Sequence, residues 1–262
     1  RDLVRSRGLG DVYKRQDPGG KSITANMYIE AALNYNRDFG KHGVGGLLVY
    51  QLRNNLQPNA GSLQASLPYR NVGLSGRFTY AYNNRYFAEF NFGYNGSERF
   101  HKSKRFGFFP SAGLAWVVSN ESFWDPFKDV VSKLKLRASY GIVGNDRIST
   151  KRFPYLTIIN ENAEAGWGYN NKGISENQMG ADNLRWEKAK KMDIGIEGEL
   201  FNSKLSFVID FFKDTRDGIF QQRRQVPSYV GLINMPFGNV GSMKSYGSDG
   251  NITYIQDFGK DM

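Results

Sequence analysis

Apolar and polar residues alternate with a period of two along most of this chain, and ten segments carry the pattern. In Ser22–Arg37, residues Ile23, Met27, Ile29, Leu33 and Tyr35 share one face, while Thr24, Asn26, Glu30, Asn34 and Asn36 share the other. The turn DFGKHG leads into Val44–Arg53, and a polar loop at 54–70 follows. Two more segments lie within Asn71–Phe100, joined at Asn83-Asn84, a pair that tolerates the positive φ of a tight hairpin. The fifth segment is Arg105–Val118, with Phe106, Phe108, Leu114 and Trp116. SNESFWDPFKDVVS then predicts a short helical turn capped by Ser122 or Asn120.

In Lys133–Ile142, Leu134, Leu136, Ala138 and Tyr140 oppose Lys135, Arg137 and Ser139. Glu187–Leu200 sets Met192, Ile194 and Ile196 against Lys191, Asp193, Glu197 and Glu199. Asn202-Ser203 reverses it into Lys204–Lys213, where Leu205, Phe207, Ile209 and Phe211 align. The ninth strand covers about Asn239–Gly247, SDG forms a hairpin turn, and the tenth starts at Asn251. Val143–Arg185 reads as a long irregular region rich in Gly and Asn, and loops of that length are usually functional.

The connections run short, long, short, medium, medium, long, short, long, short, which reads as short turns on one rim and long loops on the other. That is the order of an up-and-down antiparallel barrel, whereas a Greek-key sandwich does not keep it. The segments also run to about 10–15 residues, where soluble strands average about five or six and a tilted membrane-crossing strand needs about 9–11. The expectation is an all-β, partial transmembrane barrel whose apolar face meets lipid and whose mixed face lines the lumen. Its backbone groups then need sheet partners throughout, because hydrocarbon offers none. Tyr80, Tyr82, Tyr86, Tyr94, Trp116 and Tyr140 fall near strand ends, where an aromatic girdle belongs.

Composition narrows the picture. The 262 residues include 15 Tyr, 19 Phe, 30 Gly and no Cys, which excludes disulfides and thiolate metal sites. No run of 18 apolar residues exists, which excludes helical spans, and a mean hydropathy of −0.54 suits strands that wet one face. The net charge of +10 comes from 35 basic and 25 acidic residues scattered through strands, not gathered in a run, so no nucleic-acid partner is expected. PGGKS at 18–22 lacks the leading glycine of a phosphate loop. His42 and His101, the only histidines, fall on opposite rims, so no triad, metal site or cofactor is expected. Glu197 and Glu199 share a face with Lys191 and Asp193 and read as a charged lumen wall, not an acid–base pair. RDLVRSRGLGDVYKRQ resembles translated adapter sequence, so residues 1–16 are set apart as a tail and 17–262 as the barrel segment.

Several blocks resemble the SusC/RagA family of TonB-linked outer-membrane transporters: NNRYFAEFNFGYNGSERF with RFGFFPSAGLAWVVSNESF, LKLRASYGIVGND, NLRWEKAKKMDIGIEGELFNSKLSFVIDFFKDTRDGIF, and VPSYVGLINMPFGNVGSMKSYGSDGNITY. They keep the family's order over about Asn71–Tyr254. The resemblance implies a barrel of about 22 strands, of which this chain holds about ten. The plug, the TonB contact and the final strands are expected to lie elsewhere in the parent protein. It further implies residence in the outer membrane, contact with its lipid, and import of oligosaccharides or peptides with no chemistry on the cargo. The implied partners are a SusD-like surface lipoprotein and the TonB complex. A soluble carbohydrate-binding β-protein is the alternative, and it requires Phe78, Phe90, Phe92, Phe207 and Ile209 in a dry core.

Trp167, Tyr169, Asn170 and Asn171 in the longest loop form a stacking and hydrogen-bonding set suited to sugars, with Asn145 and Asp146 nearby. Asn183, Trp186 and Glu187 of DNLRWE, and Gly238, Asn239 and Gly241, are family motif positions with expected structural roles. Trp186 is expected at the outer lipid interface and Glu187 in polar surroundings.

Overall fold

The computed structural model describes residues 22–60, 63–149, 152–164, 172–181, 183–232 and 234–256. Nine strands form one antiparallel sheet: β1 (Ala25–Phe39), β2 (His42–Leu56), β3 (Tyr69–Tyr82), β4 (Tyr86–Ser97), β5 (Phe106–Val117), β6 (Val131–Asn145), β9 (Glu187–Leu200), β10 (Leu205–Gln222) and β11 (Phe237–Tyr254). Each strand pairs with its neighbour in sequence, except that β6 pairs with β9 across an excursion. That excursion holds a separate two-stranded ribbon, β7 (Ile158–Glu164) with β8 (Lys172–Gln178). β1 and β11 are the two edges of the sheet, so the described residues form an open wall and no closed barrel.

Register sorts the side chains into two faces. One row runs Leu33, Leu48, Gly76, Phe92 and Pro110, the next Gly46, Phe78, Phe90 and Ala112, continuing through Tyr140 and Met192. Farther along, Leu136, Ile196 and Ile209 share a row, as do Ala138, Ile194 and Phe211. This face is exposed although apolar: Leu114 is 65% accessible, Phe108 53% and Phe78 52%. The opposite face carries Asn36, Thr79, Glu89, Asn91, Arg137 and Asp193, and residues of seven strands, β1 to β6 and β9, line one common hollow of about 880 Å³. The sheet therefore curves with charge on its concave side and hydrocarbon on its convex side. The soluble alternative fails here, because Phe78, Phe90 and Ile209 stand together on the open face.

The compact rim is built from tight reversals. Asn83 and Asn84 adopt φ of 50° and 52°. Between β9 and β10 three residues, Phe201, Asn202 and Ser203, take positive φ, one more than a two-residue turn needs. On the convex face above these turns, His42, Tyr82, Tyr86 and Trp116 form a contiguous row, the last two stacked at 6.3 Å. Tyr94 stacks on Phe106 at 5.2 Å near the far end. Tyr86 and Tyr94 are about 27 Å apart along β4, which a tilted strand reduces toward the ~25 Å apolar band of outer-membrane barrels.

The β5–β6 connection ties down this rim. It contains two 3-10 turns, Val118–Asn120 and Ser122–Phe127. Neither Ser122 nor Asn120 caps them; Asn120 instead donates to the Asn84 carbonyl at 2.7 Å. Glu121 is the hub, accepting from Tyr86 at 2.7 Å, from Trp116 at 3.3 Å and from Arg85 at 3.0 Å.

Several strand boundaries differ from the sequence expectation. β10 runs on to Gln222, nine residues past Lys213, because β11 pairs with it along that whole length, so the loop expected at 214–238 shrinks to 223–236. SDG makes no turn: Ser248, Asp249 and Gly250 pair with Phe211, Asp210 and Ile209, so the last two expected strands are one continuous β11. An 18-residue partner in β10 overrides the local turn propensity. The ribbon β7–β8 falls where an irregular loop was expected, because its strands are short, polar and broken by register shifts.

Candidate functional site

The concave wall carries a ladder of ion pairs. Lys133 meets Glu199 at 3.1 Å, Lys135 meets Glu197 at 3.2 Å, Lys191 meets Asp214 at 3.4 Å and Arg77 meets Glu89 at 3.4 Å. Arg137 bridges two strands, with Glu197 at 3.3 Å and Asp210 at 2.5 Å. Gly195 lies beneath that bridge, where a Cβ would sit within 2.1 Å of the Asp210 carboxylate. Glu197 and Glu199 are thus each engaged by cations from β6, as a charged wall requires. Such paired, partly wetted charges present donors and acceptors to a polar solute without a free nucleophile. Among the described residues no cluster of three or more His, Asp or Glu could hold a metal ion.

At the outer rim the wall gives way to buried contacts. Asp146 accepts from the fully buried Ser97 at 2.8 Å and from Tyr69 at 3.5 Å. Arg99 donates to the Tyr69 hydroxyl at 3.2 Å and to the Ser149 carbonyl at 2.7 Å. Asn145 donates to Glu187 at 3.5 Å and accepts from the Arg147 amide at 3.0 Å. Asn145 and Asp146 are therefore committed to the root of the long loop. Trp167, Tyr169, Asn170 and Asn171 lie outside the described residues.

Trp186 departs from its expected place. It is buried, not at a lipid interface, stacked on Phe100 at 5.0 Å and edge-on to Phe109 at 5.1 Å, with its indole N–H donating to the Arg105 carbonyl. Leu184 and Ala181 complete this cluster, and Ile142, Ile148, Tyr155 and Phe220 pack around it. The β5–β6 ladder stops at Ser111–Gly141, leaving Phe106–Pro110 and Ile142–Asn145 unpaired with each other. The strands fork there, and Phe109 and Trp186 occupy the fork. Glu187 is likewise buried, its surroundings made polar by Asn145 and by Arg216 at 3.4 Å.

Asn239 is the second anchor. Its side chain accepts from the Arg185 amide at 2.9 Å and donates to the Arg185 carbonyl at 2.9 Å and the Gly218 carbonyl at 2.6 Å. One amide group thereby replaces a rung of the ladder where Gly218, at φ 72°, puts a bulge into β10. Asn183 accepts from Lys104 at 2.9 Å, Gly238 lets the Arg223 guanidinium lie against the backbone, and Gly241 admits Ile219.

The family model described as TonB dependent receptor-like, beta-barrel, matches residues 4–259. The chain belongs to the TonB-dependent receptor β-barrel family. Among its relatives is TonB-dependent receptor P3 of Formosa agariphila, 30% identical over 258 residues, covering 87% of this chain and 25% of that protein. TonB-dependent receptor SusC of Bacteroides thetaiotaomicron is 32% identical over 206 residues, covering 75% and 20%. The RagAB peptide importer in its closed-closed state shares the fold, with a TM-score of 0.71 at 22% identity over 92% of this chain and 28% of that one. The chain spans about a quarter of the length of the curated relatives it matches.

Membership places the sheet in the outer membrane, with the convex face in lipid. As a segment of a TonB-dependent receptor, the wall contributes part of a lumen, and the clamps at Trp186 and Asn239 stand on the elaborated rim. Sequence periodicity could not reveal the Phe100–Phe109–Trp186 contact, since these residues come from a loop, a strand and a strand entry. The one available signal was Phe109, an aromatic at a lumen-facing position between Gly107 and Ser111.

Proposed function

We propose that the full-length protein imports an oligosaccharide or a peptide across the outer membrane, with a SusD-like surface lipoprotein closing over the barrel mouth and energy delivered through TonB. The observation that carries this reading is the division of the sheet: hydrocarbon outside, ion-paired polar wall inside, and the two longest connections, 146–186 and 223–236, on the same rim. The names of SusC and of the RagAB peptide importer support it. In this reading no bond of the cargo is made or broken. Trp167 and Tyr169 stack on the cargo, Asn170 and Asn171 hydrogen-bond it, and Asn145 and Asp146 hold the root of their loop.

The test is uptake. Cells lacking the gene are given labelled oligosaccharides and labelled peptides in parallel, and the tagged full-length protein is isolated with whatever lipoprotein is encoded beside it. The reading expects loss of uptake of one cargo class and co-purification of the lipoprotein. Unchanged uptake of both classes, together with a solitary protein, would sink it. Trp167→Ala is expected to weaken cargo binding by about tenfold, the loss of one aromatic stacking contact.

A further inference from the structure

A groove of about 420 Å³ opens on the convex face at the outer ends of β1 to β5. Register fixes its side. Leu52, Val72, Gly96 and Phe106 form one row, and Met27, Asn54 and Arg70 form the row above. Both rows continue the apolar face of Leu48, Phe78 and Phe108, and they begin just beyond Tyr94. The groove thus straddles the level where acyl chains give way to headgroups.

Its two ends differ in chemistry. The lower part is apolar, made by Met27, Leu52, Val72 and Phe106. The upper part carries Arg70 and Arg105 with one acid, Glu98, whose carboxylate also faces Arg152 from the next loop. Among the described residues, the Nε of Arg105 and the Oδ1 of Asn54 are buried without a hydrogen-bond partner. Neither atom has accessible surface of its own, so the cations an anion meets in the groove are the exposed Arg70 and the part of Arg105 that lines it. Excess positive charge above an apolar cleft matches an anionic headgroup above its chain.

We propose that this groove holds one phosphorylated lipid of the outer leaflet, an acyl chain along Leu52, Val72 and Phe106 and a phosphate against Arg70 and Arg105. The site faces away from the lumen and is independent of the cargo.

The experiment uses the full-length transporter in phosphatidylcholine nanodiscs doped with diphosphoryl lipid A, with retained lipid counted by native mass spectrometry. The wild type is expected to retain one lipid A. Arg70→Gln combined with Arg105→Gln should lower that retention by about tenfold or more. Val72→Trp, which fills the cleft and keeps both cations, should lower it as well. Heat-modifiable migration reports folding of each variant, and Val72→Trp carries the test if the double variant fails to assemble. The proposal is overturned if the wild type retains no more lipid A than phosphatidylcholine. It is equally overturned if folded variants retain as much as the wild type, or if millimolar inorganic phosphate displaces the lipid while Val72→Trp binds normally, the mark of a bare anion site.

Discussion

The two rims of this sheet solve the same problem differently. At the compact rim, the hairpins at 83–84 and 201–203 need no core; backbone φ and a row of aromatics at the lipid boundary suffice, and the longer 118–130 connection is held by Glu121 as a polar hub. At the elaborated rim, the chain builds its own interior: among the described residues, five of the six buried hydrophobic ones, Phe100, Phe109, Ala181, Leu184 and Trp186, cluster there. Between the rims, large side chains such as Leu114 are left to lipid. Apolar contacts within the protein concentrate where the bilayer cannot supply them.

Five substitutions, at four residues of the full-length protein, sharpen this contrast. Trp186→Ala should be the most damaging, at about 3–5 kcal/mol, the usual loss for a buried tryptophan. It is read as a lower temperature of heat-modifiable migration together with new protease cuts confined to the long loops; cuts at the compact rim instead would break the comparison. Asn239→Ala removes three hydrogen bonds at the bulge and should cost about 1–3 kcal/mol. Asn239→Asp should not rescue it, since the carboxylate accepts but cannot donate; full rescue in the same migration assay would discredit the rung replacement. Arg137→Met should cost only about 1 kcal/mol, because the Arg137 side chain is 36% exposed to a wet lumen.

The smallest effect belongs to Glu121. The Tyr86 hydroxyl, then the Trp116 N–H and Arg85, hold its carboxyl below the ordinary range. A depressed folded-state pKa means that its stabilisation is complete above the unfolded value of about 4.3. It declines below that pH and is gone once the pH falls beneath the folded value. Glu121→Gln should flatten this acid-dependent part of the melting profile while leaving the neutral-pH protease pattern of the long loops intact. An unchanged acid profile would remove Glu121 as the hub.

The middle of the wall was legible in the sequence because one physical rule governs it. Where one face meets hydrocarbon and the other meets water, period two is enforced at every step, and residues such as Ile194, Gly195 and Ile196 could be assigned by counting. Asn83-Asn84 was legible because few residues accept its φ values. The rule lapses at the elaborated rim. Trp186 looked like a lipid anchor since tryptophan favours that boundary, yet its partners Phe100 and Phe109 arrive from the β4–β5 loop and from β5, distant in sequence from it. Ser248-Asp249-Gly250 misled for the opposite reason: a strong turn signal was outweighed by a long pairing partner. Asn145 and Asp146 read as ligand-facing from composition, and their hydrogen bonds to Glu187, Ser97 and Tyr69, distant in sequence, could not be read from any local pattern.

The early end of the β5–β6 ladder has a mechanical consequence. Below Ser111–Gly141, separating the two strands means breaking backbone hydrogen bonds in a medium that offers no substitutes. Above it, the aromatic cluster and a few side-chain hydrogen bonds, such as Ser97–Asp146 and Trp186–Arg105, resist in place of a ladder. Loop rearrangement at the mouth therefore stops at that point, and whatever the outer segments do when they meet a solute, the hydrogen-bonded girth beneath them keeps its width.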